Sequence, residues 1–230
     1  MKILFITHTD FEIPTYIVSW AQEKNFEILY CRPFRNEVLP QVSEFDCLIL
    51  MGGTQCLLEL DRYPFLNDEI SLVENAISAD KIVLGFCLGA QIIGKAHGIK
   101  TEKSPHEEIG VFPITLTPDG QNDPLLMNLP TTFLVTHWHK YMPGVPKDAK
   151  ILAISEGCPR QIIRYSSKVY GFQCHPEVTF EDIQKAISFF EKDLYEGTYI
   201  QSKDDFLKND FSSINNKMIL ILNNLVHKFL

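Results

Sequence analysis

The sequence predicts an α/β protein: a mostly parallel central sheet flanked by helices on both faces, with a small antiparallel strand addition. Three observations predict it. Short unbroken apolar runs alternate with helical-period segments through the first hundred residues, the pattern of strands covered on both faces. After residue 108 several strand-like runs follow one another with polar turns and no long helix between them. Helical periodicity then returns from Thr179 onward. No linker, internal repeat or low-complexity stretch divides the 230 residues, so residues 1–230 read as a single domain in which 196–230 form a C-terminal helical extension.

In chain order, Lys2–Thr7 reads as a buried strand, and Pro14 opens a helix carrying Tyr16, Ile17 and Trp20. Phe26–Cys31, Asp46–Met51 and Lys81–Phe86 are the next strands. A helix near Pro64 sets Phe65, Ile70, Val73 and Ile77 in register, and another, Leu88 to His97, stops at Gly98. Ile109–Thr117, Thr131–Thr136, Lys150–Ser155, Gln161–Tyr165 and Lys168–Gln173 are the later strands. Thr179 and Asp182 form a capping-box-like start to a helix running to about Tyr195. The last helix, near Ser213 to Leu230, stripes Ile214, Met218, Ile221, Leu222, Leu225 and Phe229 along one face, more in keeping with covering its own sheet than with a partner interface.

Charge and composition exclude several classes. With 21 Lys+Arg against 29 Asp+Glu the net charge is −8, and no basic cluster offers a nucleic-acid surface. No apolar run approaches the roughly 20 residues of a membrane span, and the basic-then-apolar start ends early at His8 and Asp10 without a cleavage site. A soluble cytoplasmic protein is expected. Of six cysteines no pair has C-x-x-C spacing, so neither a zinc ribbon nor a disulfide framework is indicated. Cys31, Cys47 and Cys174 lie in apolar runs and read as packing residues.

Cys87 stands apart. Gly85-Phe86-Cys87-Leu88-Gly89-Ala90-Gln91 sits where a strand passes into a helix, a bend that lifts a nucleophile above the sheet edge. The helix N-terminus favours a thiolate, and the Leu88 amide would point at a developing oxyanion. About 90 residues later, His175-Pro176-Glu177 follows a strand. Residues i and i+2 of an extended segment share a side, so Glu177 can orient His175 while His175 takes the thiol proton. Met51-Gly52-Gly53-Thr54 ends the third strand, and its bare backbone amides suit an oxyanion hole, although a plain tight turn has the same sequence.

Together these residues resemble the class I glutamine amidotransferase family, over most of the chain from Lys2 to about Tyr195. Both family motifs, G-x-C-x-G-x-Q and G-x-Q-x-H-P-E, stand intact, as does the Gly-Gly turn. The resemblance implies the flavodoxin-like fold of that family, with Cys87 as nucleophile, His175 as base and Glu177 as its partner. It places the oxyanion amides at Gly53 and Leu88, makes Gly52 a substrate-binding residue and sets Gln91 against the bound glutamyl group. Thr136-His137-Trp138-His139-Lys140-Tyr141 resembles the family loop over the substrate's amino-acid end, which makes Trp138 and His139 pocket residues. Lys140-Tyr141 replaces the family's Gly-Asp there. A metal site at His137 and His139 is disfavoured, because no nearby Cys, Asp or Glu completes a ligand set. His8, His97, His106 and His227 have no partner by spacing and read as surface or capping residues.

The implied reaction releases ammonia from glutamine through a γ-glutamyl thioester and needs no cofactor. Glutamine or another small γ-glutamyl compound is the expected ligand, and a separate synthase is the possible recipient of the ammonia, since no G-x-x-x-x-G-K-[ST] loop is present. The alternatives are a γ-glutamyl peptidase acting on larger compounds and a catalytically silent regulatory subunit.

Overall fold

A computed structural model describes residues 1–10 and 14–229. The predicted α/β architecture holds. Strands β1 (Lys2–Ile6), β2 (Glu27–Cys31), β3 (Cys47–Leu50), β4 (Ile82–Phe86) and β9 (Val169–Phe172) lie parallel in the order β2-β1-β3-β4-β9. Antiparallel β8 (Ile162–Arg164), β7 (Lys150–Ile154), β5 (Glu102–Leu116) and β6 (Thr132–Met142) extend the same sheet outward from β9. Every residue of β3, β4 and β9 is buried, as expected for strands covered on both faces.

One face carries α1 (Thr15–Glu23), α5 (Phe180–Phe190) and α7 (Phe211–Phe229). Ile17, Trp20, Ile183, Ile187 and the α7 stripe join the core with Phe5, Phe86 and Phe172. The other face carries α2 (Phe65–Ser78) and α3 (Leu88–Ala96), where Leu66, Val73 and Ile92 pack on Leu4, Leu48 and Val83. Within α2 the register lies slightly off the predicted one: Leu66, Ile70, Val73 and Ala76 are buried, while Phe65 and Ile77 are half-buried. Two small helices, α4 (Pro118–Gln121) and α6 (Lys203–Leu207), complete the described helices along with short 3₁₀ turns. None of the described helices is long and apolar enough to cross a membrane.

The sequence reading misses the full reach of the antiparallel pair. β5 begins at Glu102 instead of Ile109, and β6 continues through Met142 instead of stopping at Thr136. The missed part of β5, Glu102 to Glu108, carries charged residues and Pro105, so no apolar alternation marks it; Lys103 and Glu108 flank an irregularity in its pairing. The segment 137–141 is therefore strand and not loop. At the other boundary, α5 ends at Phe190 and a 3₁₀ turn over Glu191–Asp193 follows, short of Tyr195. Its start agrees with expectation, Thr179 and Asp182 forming a reciprocal capping box.

The C-terminal segment is tied to the rest through long-range hydrogen bonds. The Ile109 amide donates to Tyr199 O and the Gln201 amide to Ile109 O, each at 2.8 Å. The α7 asparagines do the same from a helix. Asn223 Oδ1 accepts from Trp20 Nε1 at 3.1 Å, and Asn224 Nδ2 donates to the Leu125 and Met127 carbonyls. Leu230, the last residue of the predicted helix, lies outside the described residues.

Candidate active site

Parallel strands β4 and β9 are hydrogen-bonded neighbours, so the residues just past their carboxyl ends meet. The Cys87 amide donates to Phe172 O at 2.7 Å, and the His175 amide to Thr136 O at 2.7 Å. Cys87 and the His-Pro-Glu triplet, separated by 88 positions in the chain, are thereby brought together. His175 Nδ1 lies 2.7 Å from Glu177 Oε1, and the Cys87 side chain interacts with the same imidazole. Burial opposes charging of His175, yet the Glu177 carboxylate and the Cys87 hydrogen bond together hold its pKa well above the ordinary imidazole value.

Cys87 sits at φ 47°, ψ −104°, a left-handed conformation rare outside glycine. Strain of this kind costs on the order of 1–3 kcal/mol and persists only where the surroundings over-determine it. The two flanking glycines are those surroundings. A Cβ on Gly85 would lie 2.5 Å from the Gly89 carbonyl, and one on Gly89 would lie 2.2 Å from Leu50 O. The elbow thus closes only because strand and helix backbones touch. Gly89→Ala is expected to destabilise the fold by about 3 kcal/mol, the upper end of overpacking costs, because backbone cannot yield as a side chain can. Urea unfolding of that variant checks it; a midpoint equal to wild type would refute the close approach.

Cys87 opens onto a cleft of about 330 Å³, at the small end of ligand cavities. Gly53, Leu88, Gln91, Trp138, His139 and His175 line it. Gly52 lies buried behind that wall, with its carbonyl 2.9 Å from His8 Nδ1. Gln91 is committed in part to the second motif: its Nε2 donates to Gln173 Oε1 at 3.0 Å, so the two motif glutamines bond to each other. The Trp138 indole donates to Asp193 at 3.3 Å and packs on Phe190 and Phe206. Lys140 is drawn to the rim by Glu107 at 2.9 Å, and Glu107 also accepts from Tyr195 at 2.7 Å.

Two expectations about histidines fail because the packed fold brings together residues far apart in sequence. His8 is no surface residue; it is 1% exposed and bonded to Glu69 and Gly52. A carboxylate does reach His137 and His139. Glu108, the register partner of His139 across β5 and β6, lies 3.1 Å from His139 Nε2 and 3.7 Å from His137 Nδ1. These three could surround a cation. Gln161 Nε2, 2.7 Å from the Glu108 carboxylate, joins the same buried cluster. Asn215 of α7, on no predicted motif, donates to the Pro176 and Val178 carbonyls at 3.0 and 2.8 Å and so grips the loop bearing Glu177. Its polar side chain on an otherwise apolar stripe is the one sequence signal that marked it. His97, His106 and His227 keep the expected peripheral settings, His97 bonding the Ile93 carbonyl.

Burial holds His137 neutral, its pKa pushed down to about 3. The unfolded chain protonates this ring below its ordinary value of 6.5. Between those limits the unfolded state binds the extra proton, so stability present above 6.5 is lost as pH falls toward 3. His137→Leu is expected to relieve about 2 kcal/mol of the stability difference between neutral pH and two units below the ordinary imidazole value. Urea midpoints at the two pH values measure it, and an unchanged difference would mean that His137 is not held neutral.

A strained cysteine on a strand-to-helix elbow, a buried His-Glu pair beside it and a Gly-Gly turn across the cleft define an α/β protein with a candidate nucleophile site. The family is settled by comparison: residues 16–192 match the family model for glutamine amidotransferase class-I, and the chain belongs to that family. It is 36% identical to the glutamine amidotransferase-like protein YfeJ of Salmonella typhimurium, over 98% of this chain and 97% of that one. It is 37% identical to a glutamine-hydrolyzing GMP synthase subunit of Methanococcus vannielii, over 62% of this chain and 70% of that one. Among solved structures, SMU.1228c superposes with a TM-score of 0.93 at 38% identity, covering 98% of this chain and all of that one. A glutamine amidotransferase from Thermotoga maritima gives 0.87 at 25% identity, with 98% of each chain covered.

Proposed function

We propose that the protein is a glutamine amidotransferase-type hydrolase that releases ammonia from glutamine through a γ-glutamyl thioester on Cys87. The observation that carries the reading is the His175–Glu177 contact at 2.7 Å, set against a cysteine held on a strained elbow. Cys87 Sγ, as a thiolate beside the His175 imidazolium, attacks the glutamine side-chain carbonyl carbon. The oxyanion that forms is met by the amides of Gly53 and Leu88, each worth about 3 kcal/mol. His175 gives its proton to the departing nitrogen as the C–N bond breaks, and ammonia leaves. Neutral His175 then takes a proton from water as the water oxygen attacks the thioester. Collapse of that intermediate expels the Cys87 thiolate and frees glutamate, restoring the starting ion pair. No cofactor enters these steps.

The cleft volume suits an amino-acid-sized ligand, with Gln91, Trp138 and His139 against the glutamyl group. A synthase supplied in trans is the proposed recipient of the ammonia, as the name of the Methanococcus relative suggests. Glutamate release from glutamine and from a γ-glutamyl dipeptide, measured side by side, tests the reading. Preference for glutamine is expected. Preference for the dipeptide would make the protein a γ-glutamyl peptidase, and release that survives Cys87 replacement would overturn the mechanism.

A further inference from the structure

We infer that His8, held by Glu69, is a positioning residue that locks the Gly52–Gly53 peptide so that the Gly53 amide faces the cleft. This rests on the reading of Gly53 as an oxyanion donor. His8 lies two residues past β1 and Glu69 lies on α2, and the two side chains are fully buried against each other. His8 Nδ1 is 2.9 Å from Gly52 O and His8 Nε2 is 2.8 Å from Glu69 Oε2. A carbonyl only accepts, so His8 Nδ1 donates to Gly52 O, while Nε2 is held by the Glu69 carboxyl group.

The consequence is geometric. No described peptide bond is cis. In a planar trans peptide the C=O and the following N–H point in opposite directions. With Gly52 O drawn inward to His8, the Gly53 N–H points outward, to the side where Gly53, Cys87 and Leu88 line the cleft. Among the described residues nothing accepts a hydrogen bond from that amide. A Gly-Gly peptide has little steric resistance to flipping, so its orientation needs an external hold. His8 also crowds the turn. A Cβ on Gly53 would lie 2.6 Å from His8 Cβ and 2.8 Å from Leu88 Cδ2. Gln55 Nε2 donates to His8 O at 2.9 Å and closes the turn back onto the same residue. A buried His–Glu contact is weak as a source of stability, whereas one aimed at a single carbonyl has a positioning task.

Two substitutions separate the contacts. In His8→Asn the side-chain amide nitrogen falls near the Nδ1 position and keeps the donor to Gly52 O. In His8→Gln it reaches toward Glu69 and leaves Gly52 O without one. Crystal structures of both variants read the peptide orientation, and kcat and KM for glutamine read its effect. His8→Gln is expected to rotate the Gly52–Gly53 peptide and lower kcat about 100-fold with KM nearly unchanged, as for loss of one oxyanion donor, while His8→Asn recovers to within about 5-fold of wild type. Glu69→Gln, which leaves the ring in place, is expected to lower kcat about 10-fold by weakening the hold on the far ring nitrogen, and it serves if His8→Gln does not fold. An unrotated peptide with wild-type kcat in His8→Gln, or equal losses in both His8 variants, overturns the inference. Should wild type release no glutamate, the reading of Gly53 fails, and the peptide orientation in His8→Gln still decides the lock.

Discussion

Cys87→Ala is expected to lower glutamate release from glutamine by about 10⁴-fold or more, the scale of losing the nucleophile from a cooperating set, while leaving the protein folded. The thiol lies a long 3.9 Å from Trp138 O and lines the cleft beside His175, at the edge of the core, so removing sulfur sacrifices little packing. The backbone sharpens the prediction. At φ 47° any side chain is strained and glycine is not. Cys87→Gly is therefore expected to be more stable than Cys87→Ala by about 1 kcal/mol, the strain relieved less the extra unfolded-state entropy of glycine. Both variants should be inactive. Urea unfolding and a glutamate assay on the three proteins measure this, and equal activity in Cys87→Ala and wild type would sink the mechanism.

The second large effect concerns the pair behind the nucleophile. In the proposed reaction His175 moves protons in both halves, so His175→Ala is expected to lower kcat about 10³–10⁴-fold. Glu177→Gln should cost less, because a side-chain amide can still orient the ring. Its characteristic mark is on the pH profile. Glu177 is what raises the His175 pKa against the pull of burial. With the carboxylate gone, His175 loses its proton at lower pH, so the alkaline limb of kcat/KM moves toward neutrality. An alkaline limb that stays in place in Glu177→Gln would show that another group carries it.

Much of this protein can be read from local sequence because local rules wrote it. The strands β1, β3 and β4 are short apolar runs, α3 ends where Gly98 supplies φ +78°, and α5 starts at a capping box whose two partners are three residues apart. Motif spacing likewise placed Cys87 on a strand-to-helix turn, and it paired His175 with Glu177 because two positions along an extended chain bring side chains to one side.

The sequence by itself therefore determined the fold class, the elbow and the identity of the candidate nucleophile, base and orienting carboxylate. Only the tertiary structure decided which distant groups serve them. It set Glu69 on His8 across 61 positions, Asn215 on the Pro176 carbonyl across 39, and Glu108 beside His139 through the register of β5 and β6. It also turned Lys140 toward Glu107 at the cleft rim. The physical reason is range. Helix periodicity, capping and strand alternation act over a few residues and leave marks in the local sequence. A buried hydrogen bond between remote side chains depends on strand order and register, which are fixed only when the whole core packs.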